Sequence, residues 1–263
     1  MLKVRGLTKS FGGVSAITDL DFDVAQGVVY SVIGPNGAGK TTLFNMLSGV
    51  YVPDEGSIQL SGRDIVGLPP YRIARHGVSR TFQNLQIFFN MTVLENVLVG
   101  CHLRLKGSFL STLLRLPMNI AEEKKARQWA EQAIHFCGLE AYLMSPSDAL
   151  PYGVLKRLEI ARSLAMNPSL LMMDEPAAGL NDTETREMLE LIRRISDSGI
   201  TVLLVEHNMN LVMQVSDRIL VLDYGSRLAE GNSTEIQNNP QVIAAYLGEE
   251  EPEHPVAGSH YAV

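Results

Sequence analysis

Residues 28–50 read VVYSVIGPNGAGKTTLFNMLSGV, and this stretch decides the fold. VVYSVIG (28–34) is a β-branched apolar run that stops at a glycine, the pattern of a buried strand. TTLFNMLSGV (41–50) sets Leu43, Met46, Leu47 and Val50 at helical spacing. Between them, GPNGAGKTT fits G-x-x-x-x-G-K-[ST] through Gly34, Gly39, Lys40 and Thr41, and a strand before it with a helix after it is the context that motif requires. Glycines let a backbone wrap around phosphates, and the amides that open a helix point at the anion. The loop Gly34, Pro35, Asn36, Gly37, Ala38, Gly39, Lys40, Thr41 and Thr42 is therefore a candidate nucleotide site. Lys40 is expected on the β and γ phosphates. The Thr41 hydroxyl is expected on Mg2+, which takes oxygen ligands in an octahedron.

A second apolar run, LLMMDEP (170–176), ends in Asp174 and Glu175. Ligands of open α/β sheets gather at the carboxyl ends of strands. Asp174 is expected in the Mg2+ shell, and Glu175 as the base that polarises an attacking water. Two carboxylates capping the next helix is the plainer alternative. His207 closes TVLLVEH (201–207), placed to bond a γ-phosphate or orient water. Gln83 follows VSRTF and has an amide that can reach Mg2+ or water. Taken singly, His207 and Gln83 read as structural residues.

Outward from these runs, strand and helix signals alternate. GSIQLSGRDI reads as strand, and PYRIARHGVSRTFQN as a short helix and a strand reaching Gln83. SLLMMDEP, ITVLLVEH, RILVLDYG and SRLAEG read as strands, with TETREMLELIRRIS and MNLVMQVS as helices. Such alternation implies an α/β fold, a largely parallel sheet with helices on both faces. From about 91 to 148 the helical period takes over, with KGSFLSTLLRLP as a loop or short helix; with the helix that follows, the insertion spans about 91–165. The end, EEEPEHPVAGSHYAV (249–263), is acidic and proline-containing, a tail expected to be disordered. The apolar share of 46% is that of a soluble chain, and no run approaches the roughly 18 residues of a membrane helix. MLKVRGLTKS lacks the apolar core of a signal peptide, so any membrane role is expected through a partner. The net charge of −7 argues against nucleic acid as a partner. Cys101 and Cys137 lack metal-ligand spacing and are expected to be free thiols.

Together these features resemble the ATP-binding subunit of an ABC transporter. GPNGAGKTT resembles its Walker A, Gln83 its Q-loop, LLMMDEP its Walker B, AGLN (178–181) its D-loop and His207 its switch histidine. LPYGV (150–154) falls where the LSGGQ signature stands. The resemblance covers roughly residues 2–248. It implies a RecA-like P-loop NTPase core, an antiparallel β-subdomain and a helical subdomain in one cassette over 1–248. It also implies ATP and Mg2+ as cofactors, and head-to-tail dimers in which Tyr152 and Gly153 meet the nucleotide of the other chain. Phe11, in TKSFGG, matches the aromatic that stacks on adenine; a core phenylalanine is the alternative. SRTFQNLQIFFNMTVLENVLVG, RLEIARSLAMNPSLLMMDEPAAGLN and AAYLGE are similar to the LivG-type ATPases of branched-chain amino-acid importers. That similarity implies a second, LivF-type ATPase or a second copy, two membrane permeases and, indirectly, a periplasmic binding protein, with the chain on the cytoplasmic face of the inner membrane. A lipopolysaccharide-type exporter ATPase is the alternative, and a DNA-associated ABC ATPase a more distant one.

Pro151 stands where the family places a serine, and it has neither hydroxyl nor N–H to offer a phosphate. Proline suits a helix start, where its N–H would have no intrahelical partner. Gly153 and Val154 still present amides at the start of VLKRLEIARSLA. Val154 in place of glutamine, and Asn181 in place of the D-loop aspartate, are further departures. A plain helix start with no phosphate role is the alternative reading of LPYGV.

Overall fold

A computed structural model describes residues 1–105 and 117–247, so most of KGSFLSTLLRLP and the acidic tail lie outside the described residues. Among the described residues ten strands run β1 (Leu2–Phe11), β2 (Val14–Val24), β3 (Val29–Ile33), β4 (Glu55–Leu60), β5 (Arg63–Asp64), β6 (Val78–Arg80), β7 (Leu170–Asp174), β8 (Thr201–Val205), β9 (Arg218–Asp223) and β10 (Ser226–Gly231). They form two sheets, β2-β1-β4-β5 and β10-β9-β3-β8-β7-β6. The first is antiparallel. The second is parallel except for β10, which returns beside β9.

The central strands explain their own legibility. Every residue of β3, β7 and β8 is buried, as expected for a parallel sheet covered on both faces. Alternate residues divide between two cores. Leu171 and Met173 of β7, with Val202 and Leu204 of β8, face the helices Tyr152–Ala165 and Asp182–Asp197. Leu170, Met172, Leu203 and Val205 face Phe44, Leu43 and the inner residues Leu2, Val4 and Ile17 of the antiparallel sheet. A fully buried side chain of this size contributes about 1.5–3 kcal/mol.

Helices Val93–Gly100, Pro117–Phe136 and Tyr152–Ala165 pack on one another. A Cβ on Gly100 would lie 2.1 Å from the carbonyl oxygen of Arg162, so only glycine permits that approach. Cys101 and Cys137 are free and buried; burial pushes the Cys137 thiol up to about 12.

Three sequence readings need correction. GSIQLSGRDI is a hairpin, β4 and β5, because Ser61 and Gly62 both take positive φ (48° and 78°) and turn the chain in two residues. The strand before Gln83 ends at Arg80. Thr81 makes the last sheet contact, to Met172 O, and the Phe82 amide then turns to the Glu159 carboxylate. The helix after the glycine loop covers Lys40–Leu47, leaving Val50 outside it and exposed.

Candidate active site

The glycine loop bridges β3 and the helix Lys40–Leu47 at the carboxyl ends of the parallel strands. Gly34 has φ +150°, and a Cβ there would meet Leu222 O at 2.1 Å. Gly39 has φ +100°, and its Cβ would meet Ala16 O at 2.5 Å. Both glycines are thus fixed by close backbone approach. Lys40 is buried, and its Nζ donates to the carbonyls of Gly34 (2.5 Å) and Pro35 (2.8 Å), folded back on its own loop. Thr41 is exposed and Thr42 half-buried at the helix start.

A cleft of about 280 Å3 opens along residues 36–42 and is closed on its far side by Glu175 and His207. The Glu175 carboxylate is held at both oxygens. Gln83 Nε2 donates to Oε2 at 3.0 Å, and His207 Nε2 lies 2.8 Å from Oε1. Gln83, Glu175 and His207, far apart in sequence, therefore meet; Glu175 and His207 line the cleft, and Gln83 bonds to Glu175 from outside that lining. The backbone of Glu175 is left-handed, φ +49°, which is strained for a residue with a Cβ. Neither acid caps a helix: Asn181 caps the one that follows, accepting from the Thr183 and Glu184 amides. Asparagine does this as well as aspartate, which accounts for its place in AGLN.

Asp174, buried at the end of β7, carries the Arg80 guanidinium on Oδ2 at 3.0 Å. Arg80 also donates to Asn45 Oδ1 (2.7 Å) and Ser48 Oγ (3.1 Å), with the Phe44 and Phe82 rings beside it. Thr41, Asp174 and Gln83 supply hydroxyl, carboxylate and amide oxygens, the hard donors that suit Mg2+. Among the described residues no group of three or more His, Cys, Asp or Glu could hold a metal.

Phe11 lies outside that cleft. It ends β1, is 43% exposed and meets Tyr51 edge-on at 5.2 Å, so it is a surface aromatic. Tyr152 and Gly153 also lie outside it. Pro151 is the exposed N-cap of the helix Tyr152–Ala165 and makes no side-chain cap bond. The Tyr152 ring approaches Gly179, while Gly153 is buried against Glu184. Val154 packs in the helical core.

The sequence reading passed over Arg80, Lys156, Glu159 and Glu206. Glu206 is buried, and its carboxylate accepts from the amides of Ala177 (2.9 Å), His207 (3.1 Å) and Asn208 (3.4 Å), stitching the loop after β7 to the loop after β8. Burial still holds its carboxyl above the ordinary glutamate range. The same cause raises Glu159. An acid between a strand and a histidine, or within LKRLEIA, gives no sign in sequence that it is buried.

The family described as ABC transporter matches residues 17–178, and the one described as branched-chain amino acid ATP-binding cassette transporter matches 226–252. The high-affinity branched-chain amino acid transport ATP-binding proteins BraF of Pseudomonas aeruginosa and LivG of Escherichia coli K12 are each 46% identical over 250 residues, 95% of this chain and 98% of theirs. A probable LivG of Archaeoglobus fulgidus is 38% identical over 253 residues, 96% of this chain and 97% of its own. A crystal structure of an ABC transporter's ATP-binding cassette in its ADP conformation superposes with a TM-score of 0.83 at 32% identity, covering 95% of this chain and 99% of the other.

Proposed function

We infer from the family to which this chain belongs, the ATP-binding proteins of ABC transporters, that its ATP hydrolysis drives uptake of branched-chain amino acids. The observation that carries the hydrolytic reading is the Glu175 carboxylate, held between Gln83 and His207 across the cleft from the glycine loop. The triphosphate of ATP lies along residues 34–42. Lys40 exchanges the carbonyls of Gly34 and Pro35 for phosphate oxygens. Glu175 takes a proton from a water as that water's oxygen bonds to the γ-phosphorus; the bond from this phosphorus to the β–γ bridging oxygen breaks and ADP leaves with its electron pair, while Gln83 and His207 fix the carboxylate and the water. Mg2+, when bound, offsets charge on the β and γ oxygens; Thr41, Asp174 and Gln83 are the residues that would hold it. Phe11, at the surface end of β1, stacks on the adenine.

Two ATPase chains work head to tail, either two copies or this chain with a LivF-type partner. Tyr152 and Gly153 of one then face the nucleotide on the other. Each chain is one cassette over 1–248 with a helical insertion at about 91–165. A groove of about 240 Å3 bounded by Pro70, Ile73, Arg80, Phe82 and Met166, beside Gln83, receives one of two membrane permeases. No described helix is long and apolar enough to cross a membrane, which suits a peripheral subunit on the cytoplasmic face of the inner membrane. A periplasmic binding protein would select the solute, and no nucleic acid takes part.

Glu175→Gln tests the hydrolytic reading. It should abolish turnover while ATP stays bound; turnover at the wild-type rate would overturn the role of Glu175. Leucine uptake lost on deletion and restored by the wild-type chain tests the solute. Restoration of a glycolipid-export defect, or ATPase activity stimulated by DNA, would overturn it.

A further inference from the structure

The helix Tyr152–Ala165 carries two ionisable side chains that the hydrolytic scheme leaves unused. Lys156 and Glu159 are each 2% exposed. A buried amine or carboxylate persists only where protein groups replace its water. Lys156 Nζ donates to the carbonyls of Gln83 (3.3 Å) and Glu175 (3.4 Å). Glu159 Oε1, one turn on, accepts from the Phe82 amide at 3.2 Å. The two carbonyls on Lys156 belong to the two residues whose side chains meet at the cleft, Gln83 Nε2 on Glu175 Oε2.

Glu175 is also the residue whose left-handed backbone needs holding. Its amide donates to Val205 O at 2.9 Å, on one side of that peptide. Its carbonyl accepts from the Ala178 amide at 3.2 Å and from Lys156.

We propose that Lys156 is a positioning residue for hydrolysis, clamping the backbones of Gln83 and Glu175 to each other and to the helix that carries Tyr152 and Gly153. The inference rests on the reading of Glu175 as base. Its consequence is mechanical. Any shift of Gln83 on nucleotide binding pulls, through Lys156 and Glu159, on the helix whose N-terminus serves the other chain. One buried side chain then links a chain's own nucleotide to its partner's.

The test compares full-length wild type with Lys156→Met, Lys156→Arg and Glu175→Gln. It reads steady-state kcat and KM, affinity for a fluorescent ATP analogue, Tm, and hydrogen exchange of the segment containing the Ala178 amide. Lys156→Met should lower kcat about ten- to hundredfold, the effect of losing a charge-assisted hydrogen bond felt in the transition state. KM and analogue affinity should stay within about threefold, and exchange at Ala178 should quicken about tenfold as the loop loosens. Lys156→Arg should recover most of the turnover. A kcat for Lys156→Met within about twofold of wild type, beside an inert Glu175→Gln, overturns the proposal alone. A loss of kcat matched by lost affinity, or by a fall in Tm beyond about 10 °C, makes the lysine a packing element and also overturns it. Wild-type turnover by Glu175→Gln removes the base assignment on which the proposal stands.

Discussion

Replacing Arg80 with methionine should show how far the site depends on one buried ion pair. The side chains of Arg80 and Asp174 are 9% and 11% exposed, so solvent screens their contact little. Breaking a buried pair from one side leaves an uncompensated charge and costs about 3–5 kcal/mol. Two further donations end with it, to Asn45 and Ser48, while the Phe44 and Phe82 rings keep an apolar neighbour of similar length. Against this, Arg80 Nε is buried without a partner, and its removal relieves about 1–3 kcal/mol of desolvation. The expected net loss is near the low end, about 3 kcal/mol. For a chain of this length that is a fall in Tm of about 6–12 °C. Urea melts of wild type, Arg80→Met, Asp174→Asn and the double variant, without nucleotide, give the coupling directly. It should lie between about 1 and 3 kcal/mol. Saturating ATP and Mg2+ should shrink the deficit of Arg80→Met, because the reading gives Asp174 another cationic neighbour. A single-variant loss below about 1 kcal/mol, or a coupling below about 0.5 kcal/mol, would refute the assignment of Arg80 as the counter-charge that keeps Asp174 in place.

Pro151→Ser restores a hydroxyl and an amide at the N-cap; it should raise turnover about ten- to hundredfold and leave nucleotide affinity at this chain's own glycine loop unchanged. The same change should add about 1 kcal/mol of stability, since serine caps a helix and proline has no side-chain acceptor. Steady-state ATPase, nucleotide titration and thermal melts check these, and an unchanged rate would show that Gly153 and the helix start suffice. Glu206 gives a pH dependence. Its folded carboxyl lies above the ordinary range, so the stability it adds is complete below that range and is lost as pH rises through the raised value. Urea melts at about pH 4 and pH 8 should therefore find Glu206→Gln gaining on wild type as pH rises, and a variant that loses ground to wild type over that range would contradict the burial argument. Gly34→Ala drives a Cβ to 2.1 Å from the rigid Leu222 carbonyl and should cost more than about 3 kcal/mol with loss of nucleotide binding, read by thermal shift with and without ATP.

The sequence showed most where local physics decides. Gly34 and Gly39 are readable because neighbouring backbone excludes any other residue, and β3, β7 and β8 because burial on both faces leaves an unbroken apolar run. The β4–β5 hairpin was hidden because serine at 61 is a poor announcement of a left-handed turn. Arg80 and Lys156 were hidden for another reason. In VSRTF and VLKRLEIA they look like solvated charges of an edge strand and a helix face. Only the fold sets Arg80 against Asp174 at the end of β7, and lays the loop after β6 over the helix so that Lys156 meets the Gln83 carbonyl and Glu159 the Phe82 amide.

The burial of those groups bears on how Glu175 is positioned. Both oxygens of Glu175 are occupied, by Gln83 on one side and His207 on the other. Each oxygen keeps a second lone pair, so a water can bond to Glu175 while both contacts go on holding it. Glu206 ties the backbone of His207 to the loop after β7, which favours the His207 contact as the fixed one. Gln83 sits on an exposed segment whose backbone Lys156 and Glu159 hold from behind, and its side chain is the less restrained of the two. Substituting Gln83 with alanine should therefore leave the His207–Glu175 pair intact and lower kcat through lost positioning. Substituting His207 should free Oε1, leaving the Gln83 contact on Oε2, and should cost more. The reverse order, measured at saturating ATP, would put the main hold on Glu175 at Gln83 instead.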